Sequence, residues 1–208
     1  METPVTAVED RAARGALVAR LGAACVAAAI SSGVLKGAWE LARPILDSPE
    51  AFAAASDGRR WVYGALEVLK SAGFMAGLLA LFLAGTKRGP AVKAVLAVAA
   101  AGAAFFAVVW LVMAATGRFT IVYVLGGMWY QMVAPVALGA AALGARRLPR
   151  WVAIYAIAVG VANAQIFPLL GPGWALVVQG VIWAVLGYAI ARTGDRARRE
   201  LSNPQGWP

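Results

Sequence analysis

Six apolar runs, parted by short connections, several of them rich in arginine, leave this chain few ways to fold. They fall at about residues 15–38, 60–85, 92–116, 122–145, 150–169 and 172–192. Each reaches about 20 residues or more, the length an α-helix needs to cross a hydrocarbon core of about 30 Å. They are rich in Ala, Leu, Val and Gly, whereas strands of a membrane barrel alternate polar and apolar residues over about ten positions. Composition points the same way: 62% of residues are hydrophobic and 14% charged, against about 25% charged in a soluble domain, and the mean hydropathy is +0.73. The expected fold is all-α, a polytopic integral membrane bundle of six transmembrane helices forming a single domain over 1–208.

The first run is the weakest, since only Leu21 to Leu35 is free of charge and basic residues precede it as in a secretory signal. Read from Met1, it is expected to be a retained span. Around "LGAAC", Arg20 interrupts the apolar run and Gly22 stands where a lipoprotein signal carries Leu, so a lipid on Cys25 is not expected.

Lys and Arg then set the orientation, because cytoplasmic connections carry the excess. One side holds 13 of the 19: Arg11, Arg14 and Arg20 with Lys87, Arg88, Lys93, Arg146, Arg147, Arg150, Arg192, Arg196, Arg198 and Arg199. The other side holds Lys36, Arg43, Arg59, Arg60 and Arg118, and Lys70 lies within a span. Both termini are therefore expected in the cytoplasm, the membrane being a bacterial cytoplasmic one. Trp39, Trp61, Trp129 and Trp174 fall near the outer boundary and Trp151 near the inner one, the depth indole rings favour. Between the first two spans, "LDSPEAFAAASDG" predicts a short amphipathic surface helix in the outer loop, capped by Asp47 or Ser48, with Pro49 in its first turn and Gly58 at its end. Six spans divide as three plus three, which permits an inverted repeat.

The net charge of +9 sits at span ends and not on one soluble face, so nucleic acid is not an expected partner. The lone Cys25 allows no internal disulfide, and the absence of histidine removes His-ligated haem, the usual zinc site and Ser-His-Asp or Cys-His catalysis. No metal and no cofactor is expected.

The polar residues within the spans gather toward the outer side: Ser31, Ser32 and Lys36 in the first, Glu67, Lys70 and Ser71 in the second, Tyr130 and Gln131 in the fourth, Asn163 and Gln165 in the fifth, and Gln179 in the sixth. Side chains of this kind face a bundle interior and not lipid. They are expected to line an outward-opening pocket above a dry plug of small residues, with Tyr63, Trp129 and Trp183 among its walls. Taken singly, Ser31, Ser32, Ser71 and Gln179 read as hydrogen bonds between helices without a ligand; it is the set on one side that points to a pocket. Glu67 and Lys70, at i and i+3, share a helix face and can pair, Lys70 lying roughly 13 to 14 Å below Trp61. Their pair reads either as structural or as the anchor of a charged ligand group. Lys36 and Glu40, at i and i+4, read as a solvated pair at the outer mouth, although Glu40 reaches the same pocket as Glu67 if the first two spans pack together. Pro135 and Pro168 can kink their helices, and Gly73 and Gly77 mark close helix packing.

Three functions fit. The first is binding or transport of a small or amphiphilic molecule, with Lys70, Tyr63, Trp129, Tyr130, Gln131, Asn163, Gln165, Gln179 and Trp183 as ligand contacts. The second is a cofactor-free enzyme acting on a lipid or isoprenoid, with Glu67 or Glu40 as general acid. Here "AWE", Ala38 to Glu40, resembles the Trp-Glu stretch of membrane-embedded terpene cyclases of the meroterpenoid type, over three residues; the last span lacks the second acid that family implies, and membership is not claimed. The third is an accessory subunit of a membrane complex. Membrane lipids and a small or lipid-like ligand are the expected partners, and a second copy or a partner membrane subunit is compatible.

Overall fold

The computed structural model describes residues 4–85, 90–119, 132–145 and 150–202, and all regular structure among them is helical. A continuous rod opens the chain: α1 (Pro4–Ala28), one π-helical turn (Ala29–Val34) and α2 (Leu35–Ala42). There follow α3 (Pro49–Ala54), α4 (Asp57–Gly85), α5 (Pro90–Thr116), α6 (Ala134–Ala145) and α7 (Arg150–Ser202). Gly171 divides α7 into two arms; its φ of 71° and ψ of 169° are open to glycine and strained for other residues.

Four helices are long and apolar enough to cross a membrane, at Ala12–Ala42, Asp57–Leu83, Ala97–Thr116 and Leu169–Arg196. Of the other two expected spans, 122–145 lies partly outside the described residues. That at 150–169 corresponds to the shorter apolar helix Arg150–Ala162, whose backbone continues helical to the break.

Small residues set how closely the helices approach. The second arm of α7 carries glycine at every seventh position, Gly173, Gly180, Gly187 and Gly194, and this line runs antiparallel to the first rod. A Cβ on Gly180 would fall 2.7 Å from Val34 N, and one on Gly22 would fall 2.6 Å from Ala191 N. Backbone thus packs on backbone, the geometry small residues permit between membrane helices. A second face of the rod meets α4, also antiparallel: Gly73 abuts Ala28, and Gly77 abuts Cys25. The expectation that these two glycines serve close packing matches that placement. Antiparallel α5 lies on α4 near Gly64, and α6 packs on the first arm of α7 through Gly139 and Gly160.

The connection between α2 and α4 differs from expectation in two respects. Ser48 caps α3, its side chain accepting a hydrogen bond from Ala51 N at 3.1 Å, but α3 ends at Ala54. Gly58 belongs instead to the first turn of α4. Moreover α3 does not simply lie on the surface. Phe52 is fully buried, as are Ile45 and Leu46 beside the helix, because the segment folds down onto the ends of α4 and α5. Arg60 fastens it, donating to the carbonyls of Ala53 and Ala55 and pairing with Asp57.

Gly180→Ala is expected to destabilise by about 1–3 kcal/mol, since backbone atoms cannot yield to the new methyl group. Gly58→Ala, where nothing lies within 4 Å, is expected to be neutral or stabilising by up to about 1 kcal/mol. Thermal unfolding in detergent compares the two.

Candidate functional site

The face of the first rod that meets α4 changes character along its length. Cys25 and Ala28 meet glycines, but just past the π-helical turn Lys36, and one turn later Glu40, occupy the same face. Both are buried, at 0% and 1% exposure, which corrects their reading as a solvated pair. The reason is geometric: α4 presents Glu67 and Tyr63 at the matching levels, so each charged side chain finds a partner across the interface and not along its own helix.

Glu67, itself fully buried, is the centre. Lys36 Nζ forms an ion pair with its Oε1, and Lys70 Nζ lies 2.7 Å from Oε1 and 2.6 Å from Oε2. Aromatic rings complete the surroundings of both ammonium groups. Lys36 Nζ is 4.0 Å from the centroid of the Trp110 ring and 5.0 Å from that of Tyr63, and Lys70 Nζ is 5.7 Å from that of Phe106. Such contacts gain strength where water is excluded.

Glu40 stands one turn farther out. Its Oε1 accepts from the backbone N–H groups of Ile45, at 2.7 Å, and Leu46, at 2.6 Å, and its Oε2 accepts from the Tyr63 hydroxyl at 2.6 Å. The carboxylate thus pins the connection between α2 and α4 to the bundle. Above it Arg59 rests on Trp39 and Tyr63, 5.6 Å and 5.8 Å from their ring centroids, with Nε and Nη2 lacking a hydrogen-bond partner among the described residues. Three cations, Lys36, Lys70 and Arg59, therefore face two carboxylates. Phe52 closes the cluster from outside, edge-on to Trp110 at 6.2 Å and to Phe119 at 5.8 Å.

An opening among the described residues reaches this array. A groove of about 180 Å³ is lined by Glu40, Leu41, Pro44 and Asp47 on one wall and Leu170 to Trp174 on the other. From it a chain of contacts leads inward through Glu40, Tyr63 and Lys36 to Glu67.

The structure thus brings together Glu67, Lys70, Tyr63 and Glu40 of the expected site. Gln179 and Trp183 are buried on the second arm of α7, Trp183 stacked on Phe74 at 4.1 Å, one turn beyond Lys70. Gln179 Oε1 and Trp183 Nε1, one turn apart, have no hydrogen-bond partner among the described residues. Trp129, Tyr130 and Gln131 lie outside the described residues, as do the side chains of Asn163, Gln165 and Pro168. Pro135 is buried within α6. Sequence reasoning missed Lys36 as the partner of Glu67, and Trp110, Phe106 and Arg59 altogether. A signal existed for Lys36: Cys25, Ala28, Ser32, Lys36 and Glu40 recur at spacings of three and four, an inward stripe.

Replacing Glu67 by Gln strands two buried ammonium groups and is expected to cost about 3–5 kcal/mol. Adding Lys36→Met and Lys70→Met to Glu67→Gln should recover most of that loss. Thermal denaturation of the purified variants provides the comparison, and equal stability of all three proteins would show that the cluster is not an electrostatic unit.

The sequence matches no family model, no curated protein and no solved structure.

Proposed function

We propose that this is an integral membrane protein that binds or transports a small or amphiphilic molecule whose polar, anionic end enters from the extracytoplasmic side. The observation that carries this reading is the chain of contacts from the groove at Glu40, through the Tyr63 hydroxyl and the face of its ring, to Lys36 and Glu67. The groove wall itself is acidic, with Glu40 and Asp47, so the positive charge that would receive the ligand's anion is that of Lys36, Lys70 and Arg59 behind it. The groove's size limits the ligand. At about 180 Å³ it falls below the 300–1,000 Å³ of sites for drug-sized molecules, so it suits a small molecule or the head of an amphiphile.

An enzyme using Glu67 as general acid is the weaker reading. Glu67 is enclosed by two ammonium groups with no exposure of its own. Glu40 borders the groove, so it is the carboxylate for which catalysis is worth testing. The accessory-subunit reading predicts no ligand at all.

The topology that accompanies this function is six spans with both termini in a bacterial cytoplasm and α3 on the outer side. Several observations support it. The first arm of α7 continues helically from Arg150 to the break at Gly171, roughly 31 Å at 1.5 Å per residue. Successive packed helices run antiparallel, and half-exposed Trp61 and Trp174 mark one end of the bundle while Trp151 marks the other. A fluorescent-protein fusion at the C-terminus should glow, and an alkaline phosphatase fusion there should be inactive; the reverse pattern would invert the topology.

Small organic anions and single-chain anionic amphiphiles, screened by thermal shift, are expected to include stabilising ligands. Lys36→Met should weaken their binding at least about tenfold, or 1.4 kcal/mol, while leaving Glu67 paired with Lys70. No shift with any such compound would favour the accessory-subunit reading. Product formation abolished by Glu40→Gln, with binding intact, would favour the enzyme.

A further inference from the structure

The opposite end of the bundle carries a second built feature. A cleft of about 580 Å³ opens where the first arm of α7 begins and its second arm ends, lined by Trp151, Ala189, Arg192, Thr193, Asp195, Arg196 and Arg199. We infer that this cleft binds the phosphate headgroup of an anionic glycerophospholipid.

Charge and spacing come first. Arg192, Arg196 and Arg199 recur at i, i+4 and i+7, so they share one helix face. Guanidinium groups bind phosphate through paired N–H donors and are weakly hydrated, which suits them to the headgroup layer. Among the described residues of the lining, three arginines face one acidic residue, Asp195. Its carboxylate can accept only from donors, so it favours a headgroup bearing hydroxyls beside a single phosphodiester and disfavours a second phosphate.

Position separates a lipid from a soluble phosphate. Below the cleft the same face of the second arm continues as Tyr188, Val185 and Val181, and the first arm continues from Trp151 to Ile154; all five are about half exposed. They form an apolar track leading from the arginines toward the bundle centre, where acyl chains would lie. Arg192 stacks over Tyr188, its Cζ 5.3 Å from the ring centroid, and Trp151 stands at the rim, the level at which indole rings settle in a bilayer. The volume lies within the range of sites that enclose small ligands, room enough for a glycerophosphate head with its glycerol backbone. Basic recesses of this kind between membrane helices receive acidic lipid heads.

The test compares phosphatidylglycerol, phosphatidylcholine with the same acyl chains, and inorganic phosphate, added to the purified full chain in detergent while thermal unfolding is followed. Phosphatidylglycerol should raise the midpoint well beyond phosphatidylcholine, and inorganic phosphate should do little. In R192Q/R196Q the advantage of phosphatidylglycerol should largely vanish, its apparent affinity falling at least about tenfold. Equal effects of the two lipids, or an undiminished advantage in the double variant, would overturn the inference. Inorganic phosphate matching phosphatidylglycerol would likewise overturn it, by assigning the cleft to a soluble anion. On the unaltered protein, native mass spectrometry after exposure to an equal mixture of both lipids should show preferential retention of phosphatidylglycerol, lost when the salt during exposure rises to about 1 M. Retention indifferent to salt would refute the role of the arginines even if the double variant failed to fold.

Discussion

A single carboxylate held between two lysines in an apolar interior governs much of this structure. An ammonium group at the middle of a membrane costs about 2.5–3.5 kcal/mol even on the lenient insertion scale, and two of them are tolerable only if both meet Glu67. That requirement fixes the register of the first rod against α4. With Lys36 opposite Glu67, Glu40 falls opposite Tyr63, while Ala28 meets Gly73 and Cys25 meets Gly77. A slip of one turn would place side chains against side chains where glycine now admits close approach, and would part every charge from its partner. Specification of register is the best-attested use of buried ionic groups.

The connection between α2 and α4 follows from the same cluster. Glu40 binds the backbone of Ile45 and Leu46, so the chain leaving α2 turns back over the bundle, and Phe52 comes to rest against Trp110, whose ring already covers Lys36. A loop that composition alone would leave in solvent is thereby drawn into the core. Because Glu40 also borders the groove, occupancy there bears directly on the residue that anchors the loop. The groove wall and the loop anchor share one carboxylate.

The long apolar helices, the i, i+3 pairing of Glu67 with Lys70 and the close packing at Gly73 and Gly77 were legible in the sequence, since each rests on spacing within one helix. What crosses between helices was harder to read. Lys36 and Glu40 satisfy a familiar local pattern, and only the approach of α4 decides that both bond elsewhere. The heptad of glycines on the second arm of α7 is plain once its partner is known, yet in a chain holding 23 glycines a period of seven does not stand out. Trp110 sits within an apolar helix, where a tryptophan reads as core or lipid contact; its role as the roof over Lys36 depends on the rod two helices away.

The π-helical turn divides the first rod into two halves that meet the same neighbours. One residue of an α-helix turns the chain by about 100°, and a π turn accommodates an extra residue without ending the helix. Gly15, Gly22 and Ala29 follow the seven-residue step of the facing glycines; beyond the turn the line resumes at Gly33 and Gly37, four apart. Ser31 and Ser32 bond back to the carbonyls of Ala27 and Ala28 at the entry to this turn, occupying acceptors that the wider winding frees. The first rod thus keeps small residues against one neighbour and presents its charges to another, and the irregular turn stands immediately before the residues whose burial the proposed function requires.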